Sequence, residues 1–186
     1  MRVIAGSARR LLLKTPKGLD TRPTSDQIKE TLFNILMPYL YDAEFLDLFS
    51  GSGGIGIEAL SRGSRHAVFV ENSKPALKCI EENLKTTRFE DVSTVYPIDV
   101  FSALNQLEGK NHFDIIFMDP PYNNDYERLV LERLSRSSLI DEDSIIVVEA
   151  SINTDMDYIF DYGFEIIKNK EYKSNKHVLL RKCNWL

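Results

Sequence analysis

The apolar positions change period along the chain, and each change marks an element. Ile28, Leu32, Ile35, Leu36 and Tyr39 recur at helical spacing and predict one amphipathic helix, with Pro38 at the end of the regular pattern. Ahead of it, after Pro23, Thr24 and Gln27 stand at the spacing of a capping box. From Phe45 onward, short β-rich runs alternate with helical patterns. Strands are expected at 45–49, 67–71, 92–97, 113–118 and 145–149, separated by helices at 54–62, 74–85, 100–108 and 126–134. Ile115-Ile116-Phe117-Met118 is apolar at every position, as a strand covered on both faces must be. This rhythm calls for an α/β fold, a doubly wound, Rossmann-like and mostly parallel sheet. One more helix is expected near 156–162. Residues 164–172 and 176–181 then flank Lys173-Ser174-Asn175, a link too short for a helical crossover, so the last strand should run antiparallel.

Residues 1–22 follow neither period. They mix short apolar runs with Gly6, Pro16 and Gly18, which reads as a small hairpin or extended arm ahead of a core over 23–186. At 186 residues the whole is expected to be a single domain around one core. No run approaches the roughly 18 apolar residues of a membrane helix, and Leu11-Leu12-Leu13 is too short for a signal peptide, so no membrane partner is expected. Cys79 and Cys183 lie far apart, and His66, His112 and His177 are scattered. No metal site is therefore expected, and a reduced, cytoplasmic location follows by default. His177, among basic residues of the last strand, is expected at the surface.

Net charge is −5, which by itself argues against nucleic acid. Its distribution argues the other way. Residues 1–29 carry net +5 through Arg2, Arg9, Arg10, Lys14, Lys17, Arg22 and Lys29 against Asp20 and Asp26. Residues 168–182 also carry net +5, so the two ends could grip a polyanion while an acidic middle handles something else.

The candidate chemistry lies where strands end. Gly51, Gly53 and Gly56 match a G-x-G-x-x-G turn that lets backbone approach a nucleotide cofactor before a helix begins. Asp47 places a carboxylate just before that turn, where a pyrophosphate gains nothing and a cationic cofactor such as S-adenosylmethionine is favoured. Glu71 ends the second strand, where it could accept both ribose hydroxyls. Asp99 follows the third strand and could hold an adenine amino group or cap the next helix. Asp119-Pro120-Pro121-Tyr122 follows the fourth strand, at the edge where open α/β sheets bind ligands. Two prolines fix that loop and remove its N–H groups, so it presents acceptors, the Asp119 carboxylate and the Pro120 carbonyl. Acceptors suit an exocyclic amino group, whose hydrogens they hold while its lone pair faces a methyl donor. Tyr122 supplies a face for base stacking.

Together these motifs resemble the cofactor and catalytic motifs of class I amino-methyltransferases. With Arg2-Val3-Ile4-Ala5-Gly6, Arg9-Arg10, Pro16-Lys17-Gly18, Arg22-Pro23-Thr24-Ser25-Asp26 and Leu32-Phe33-Asn34-Ile35-Leu36, the chain is similar to the 16S rRNA guanine-N2 methyltransferases of the RsmD type nearly end to end. The resemblance implies a seven-stranded sheet with an N-terminal hairpin, S-adenosylmethionine as donor (S-adenosylhomocysteine as product), and N2 of a guanine in small-subunit rRNA as acceptor. It implies that the substrate is a ribosomal subunit or its assembly intermediate rather than free RNA; the protein itself is expected to be a monomer. By position, Asp119, Pro120, Pro121 and Tyr122 would carry catalysis. Asp47, Phe49, Gly51, Gly53, Glu71, Asp99 and Val100 would hold the cofactor, and Arg9, Arg10 and Arg22 would meet RNA phosphates. Gln27 and Lys29 stand where the family more often has arginine. Three other readings compete: a DNA adenine-N6 or cytosine-N4 methyltransferase, an NAD-dependent oxidoreductase, against which Asp47 and the double proline argue, and a non-enzymatic RNA-binding factor.

Overall fold

The computed structural model describes residues 1–16, 25–121 and 124–183. Its core is one seven-stranded sheet in the order β3-β2-β1-β4-β5-β7-β6. The strands are β1 (Glu44–Leu48), β2 (His66–Val70), β3 (Ser93–Tyr96), β4 (Ile115–Met118), β5 (Ile145–Ser151), β6 (Phe164–Glu171) and β7 (Asn175–Lys182). The first five pair in parallel, while β7 runs antiparallel between β5 and β6. The parallel sheet with an antiparallel last strand is as the sequence indicates. What the sequence did not indicate is that this strand lies inside the sheet.

The helices are α1 (Asp26–Leu40), α2 (Gly54–Ser61), α3 (Lys74–Thr87), α4 (Val100–Leu107) and α5 (Tyr126–Ser135), each within three residues of its expected bounds where bounds were drawn. The helix expected near 156–162 is a 3-10 segment, Asp157–Tyr162, closed by Gly163 at φ +76°. Two apolar clusters result, one on each face of the sheet. Leu46, Leu48, Ile116, Met118 and Val148 pack with α4 and α5 on one side. Phe45, Phe69, Ile115, Phe117 and Val147 pack with α1, α2 and α3 on the other. Strict alternation along β1, β4 and β5 sends neighbouring residues to opposite clusters, which is why β4 and the first half of β5 read as unbroken apolar runs.

The start of α1 differs in detail. Its N-cap is Ser25, whose hydroxyl accepts the Ile28 N–H at 3.2 Å. Thr24, the expected cap, lies outside the described residues. Pro38 falls inside the last turn of α1 rather than ending it. The buried face is Lys29, Leu32, Phe33, Leu36 and Leu40, while Ile28 and Ile35 flank it and Tyr39 is exposed. Burying each of its four apolar side chains stabilises the fold by about 1.5–3 kcal/mol.

Residues 1–13 form a short hairpin, with Val3 N–H to Leu11 O at 3.0 Å, Leu13 N–H to Met1 O at 3.0 Å, and an antiparallel bridge between Arg2 and Leu12. A carboxylate on α2 fastens it. Glu58 accepts N–H groups of Ile4 (2.8 Å) and Ala5 (3.0 Å), and pairs with Lys29 at 3.2 Å and Arg62 at 2.8 Å. Lys29 is 1% exposed and also donates to the Arg2 carbonyl, so it clasps the arm to α1 and presents no charge to a ligand.

Candidate active site

At the carboxyl edge of the sheet the sequence loses its apolar strand pattern and places acids on the α1–α3 face. Asp47 pairs with Phe69 of β2 and Phe117 of β4, so it shares their face. Two residues further along each strand, Glu71, Asp119 and Glu149 share that face by the same alternation. Met118 is the partner of Val148, which brings Asp119 abreast of Glu149. Four carboxyl groups thus lie along four adjacent strands.

Their environments differ. Asp47 is 1% exposed, and its carboxyl accepts the Gly56 N–H at 3.0 Å. Burial, opposed by that hydrogen bond and reinforced by Glu71, pushes its pKa up to about 7. Asp47 therefore sits beneath the glycine turn, within reach of a ligand through its field rather than at the open surface. Glu71 accepts Gly51 N–H on one oxygen (2.8 Å) and the N–H groups of Asn72 (2.9 Å) and Ser73 (2.8 Å) on the other. Of about four lone-pair sites one remains, enough for a single ribose hydroxyl while these bonds hold. Asp119 has no hydrogen-bond donor among the described residues. Burial, then Glu149, then Asp47 hold its pKa well above the ordinary carboxyl value.

The glycine turn is braced from below. Ser50 exchanges hydrogen bonds with Val70 backbone, accepting its N–H at 2.9 Å, and Asn83 of α3 donates to Ser52 O at 2.9 Å. Gly51 adopts φ +54°, and a Cβ there would meet no atom within 4 Å, so space opens over the turn. At Gly56 a Cβ would come within 2.4 Å of the Phe69 ring, so only glycine lets α2 pack this close to β2. Gly53, at φ +79°, is the N-cap of α2.

Asp99 caps α4, accepting N–H from Phe101 (3.1 Å) and Ser102 (3.0 Å) and the Ser102 hydroxyl (2.6 Å). Those bonds, that of Ser102 first, hold its pKa below the ordinary value. Of the two roles expected, the cap is the one observed, and it leaves the Val100 N–H outside its grasp. The Val100 side chain is core, 5% exposed. Phe49 takes the left-handed conformation at φ +61°, and its ring stands 5.6 Å from Tyr126, which lies 6.1 Å from Phe101. The open turn, the Val100 N–H, the acceptors of Glu71 and Asp99, and these aromatic rings fit an adenosyl group. Neither Phe101 nor Tyr126 was singled out from sequence, although each lies in the first turn of a helix at the ligand-binding edge.

Pro120 is buried and Pro121 exposed; Tyr122 and Arg22 lie outside the described residues. Arg9 and Arg10 are exposed at the hairpin tip beside Ser61, the far end of α2 from Gly54, and are not gathered to the carboxyl edge. Eight residues of helix separate the two ends of α2, about 12 Å. His177 corrects an expectation: it is fully buried, because β7 lies between β5 and β6. Among the described residues no group of His, Cys, Asp and Glu is arranged to hold a metal ion, and no helix is long and apolar enough to cross a membrane.

Against known proteins, the family model described as conserved hypothetical protein 95 matches residues 1–181. A putative rRNA methyltransferase of Bacillus subtilis, YlbH, is 41% identical over 150 residues, covering 80% of this chain and 82% of that one. Ribosomal RNA small subunit methyltransferase D of Haemophilus influenzae is 36% identical over 152 residues, covering 80% and 78%. The solved structure of a putative methyltransferase, yhhF, from Escherichia coli superposes with a TM-score of 0.87 at 28% identity, covering 98% of both chains.

Proposed function

We infer the function from one premise: the chain belongs to the conserved hypothetical protein 95 family of class I methyltransferases, the RsmD type. It transfers a methyl group from S-adenosylmethionine to the exocyclic N2 of a guanine in small-subunit (16S) rRNA, leaving S-adenosylhomocysteine. The observation that carries this reading is Asp119: a partly buried carboxylate, without a donor among the described residues, on a proline-fixed loop next to the strand that leads into the glycine turn. A group left so is completed by a ligand with N–H to offer.

When bound, S-adenosylmethionine supplies an electrophilic methyl on a sulfonium. Gly51 and Gly53 would let it lie close to backbone, Glu71 and Asp99 would take ribose and adenine donors, and Phe49 and the Val100 N–H would flank the base. The buried charge of Asp47 would favour the cation. Asp119 and the Pro120 carbonyl would hold the amine hydrogens and aim the nitrogen lone pair. Most of the rate then comes from orientation of the reacting pair and from a hydrogen bond that strengthens as positive charge grows on nitrogen. Tyr122 would stack on the base. The guanine itself arrives on a small ribosomal subunit, with Arg9, Arg10 and Arg22 against phosphates, and a monomer in the cytoplasm suffices for this.

The test is transfer of labelled methyl to undermodified small subunits, to naked rRNA and to duplex DNA, followed by nucleoside analysis. Labelled N2-methylguanosine from the subunit is the expected result. Label on adenine or cytosine of DNA would overturn the acceptor, and absence of label from every acceptor would overturn the activity.

A further inference from the structure

Beside Asp119 lies a buried polar cluster to which the reaction above gives no task. Glu149 of β5 is 5% exposed, and two side chains of β7 hold it: Asn175 Nδ2 at 2.5 Å on one oxygen and His177 Nε2 at 2.9 Å on the other. His177 is wedged edge-on between the rings of Phe117 (6.2 Å between centroids) and Tyr172 (5.2 Å), with the Tyr172 hydroxyl 3.4 Å from Nδ1. Burial, with Glu149 adding to it, pushes the Tyr172 pKa up to about 12, so this hydroxyl stays neutral. A carboxylate sunk into a sheet and pinned from a neighbouring strand is a costly way to fill space; apolar residues of the same volume are often as stable or more so. Its position is informative. Glu149 stands opposite His177 in the register of β5 and β7, and Asp119 comes abreast of it from β4.

We propose that Glu149, fixed by Asn175 and His177, is a positioning residue for the methyl transfer, acting on the acceptor amine through Asp119. The inference rests on the function proposed above. As the N–C bond forms, the S–C electron pair leaves with sulfur, and one N–H proton must leave the nitrogen. The Asp119 carboxylate receives it. A like charge one strand away makes that carboxylate hold a proton more tightly, in the same direction as its burial and as Asp47 on β1. A carboxylate with raised proton affinity is a better base near neutral pH. The two pins keep Glu149 from turning away or rearranging onto Asp119. The other charges nearby are engaged elsewhere. Glu71 is bound to backbone, Lys29, Glu58 and Arg62 to one another, and Lys176 to the Thr154 carbonyl, while Lys170 lies 5.9 Å over the Tyr172 ring.

The experiment has two readings. In single-turnover transfer as a function of pH, Glu149→Gln should move the acidic limb to lower pH by about one unit and lower the plateau severalfold. S-adenosylmethionine affinity should be unchanged, and Glu149→Asp should retain the limb of the unaltered enzyme. Carboxyl-carbon NMR of the ligand-free protein should show the Asp119 inflection at lower pH in Glu149→Gln than in the unaltered protein and in Glu149→Asp. That second reading needs no RNA. An unshifted acidic limb in Glu149→Gln, or an Asp119 inflection that this substitution leaves in place, would overturn the inference even if transfer to guanine is found. A shifted Asp119 inflection in a protein that methylates no nucleic acid would instead overturn the function, and with it the role given to Glu149.

Discussion

Two acidic side chains on the same helix-covered face of the sheet show what burial of a carboxylate can mean. Glu58 is fully buried and has four partners, two backbone N–H groups and two cations, which fill its lone-pair sites. Asp119 has no donor among the described residues and faces Glu149 and Asp47 instead of cations. The first arrangement is complete and works as a clasp between the arm, α1 and α2. The second is incomplete, and it lies where the backbone has been cleared of N–H groups by prolines. Compensated burial marks structure here, and uncompensated burial marks chemistry.

Substitutions should separate the two. The largest effect is expected from Asp119→Ala: transfer should fall about a thousandfold, with cofactor affinity and melting temperature little changed, measured on one preparation. Residual transfer near the original rate would return Asp119 to a structural role. Glu58→Gln should do the reverse. It leaves Lys29 buried without its charge partner and should destabilise the fold by about 3 kcal/mol, seen as a lower denaturant midpoint. A midpoint that did not move would mean the clasp contributes little.

Asp47→Asn should fall between these. Its folded pKa, about 7, lies above the ordinary 3.8. The folded state therefore binds a proton more tightly than the unfolded one, and stability is lost as pH rises from about 4 to about 7. The amide removes that cost, so the variant should be about 1–2 kcal/mol more stable at pH 8, no more stable at pH 4, and weaker for a cationic cofactor. Equal stability gains at both pH values would contradict the burial account. The smallest change is expected from Arg9→Ala with Arg10→Ala, exposed at the hairpin tip. Stability should stay within about 0.5 kcal/mol, while the salt slope of RNA binding should drop by about two. An unchanged slope would remove the tip from the RNA surface.

The parallel core was legible because β2, β4 and most of β5 are apolar on both faces and helical patterns separate the strands. The glycine turn and the Asp119 loop were legible because their geometry admits few residue types. Lys29 was missed although its signal was present: it precedes Leu32, Phe33 and Leu36 by three, four and seven residues, the spacing of one helix face. Charge suggested an exposed position, and the Glu58 carboxylate from another helix, with the Arg2 carbonyl of the arm, makes the buried one tolerable. His177 was missed for a different reason. A hairpin at the chain end does not reveal which of its strands faces the sheet, and β7 rather than β6 took the interior place beside β5. Once there, the residue opposite Glu149 is enclosed from both sides.

Asp47, buried beneath the glycine turn with its pKa near 7, is the carboxyl a cationic cofactor would ionise, and proton linkage on binding tests this most directly. Calorimetric titration of S-adenosylmethionine at pH 7, in buffers of different ionisation enthalpy, reads the proton that moves. With Asp47 near half-ionised at that pH, arrival of the sulfonium should expel a proton to the buffer. S-adenosylhomocysteine, which lacks that charge, should expel less. Binding enthalpies that do not depend on the buffer, or proton uptake, would contradict it.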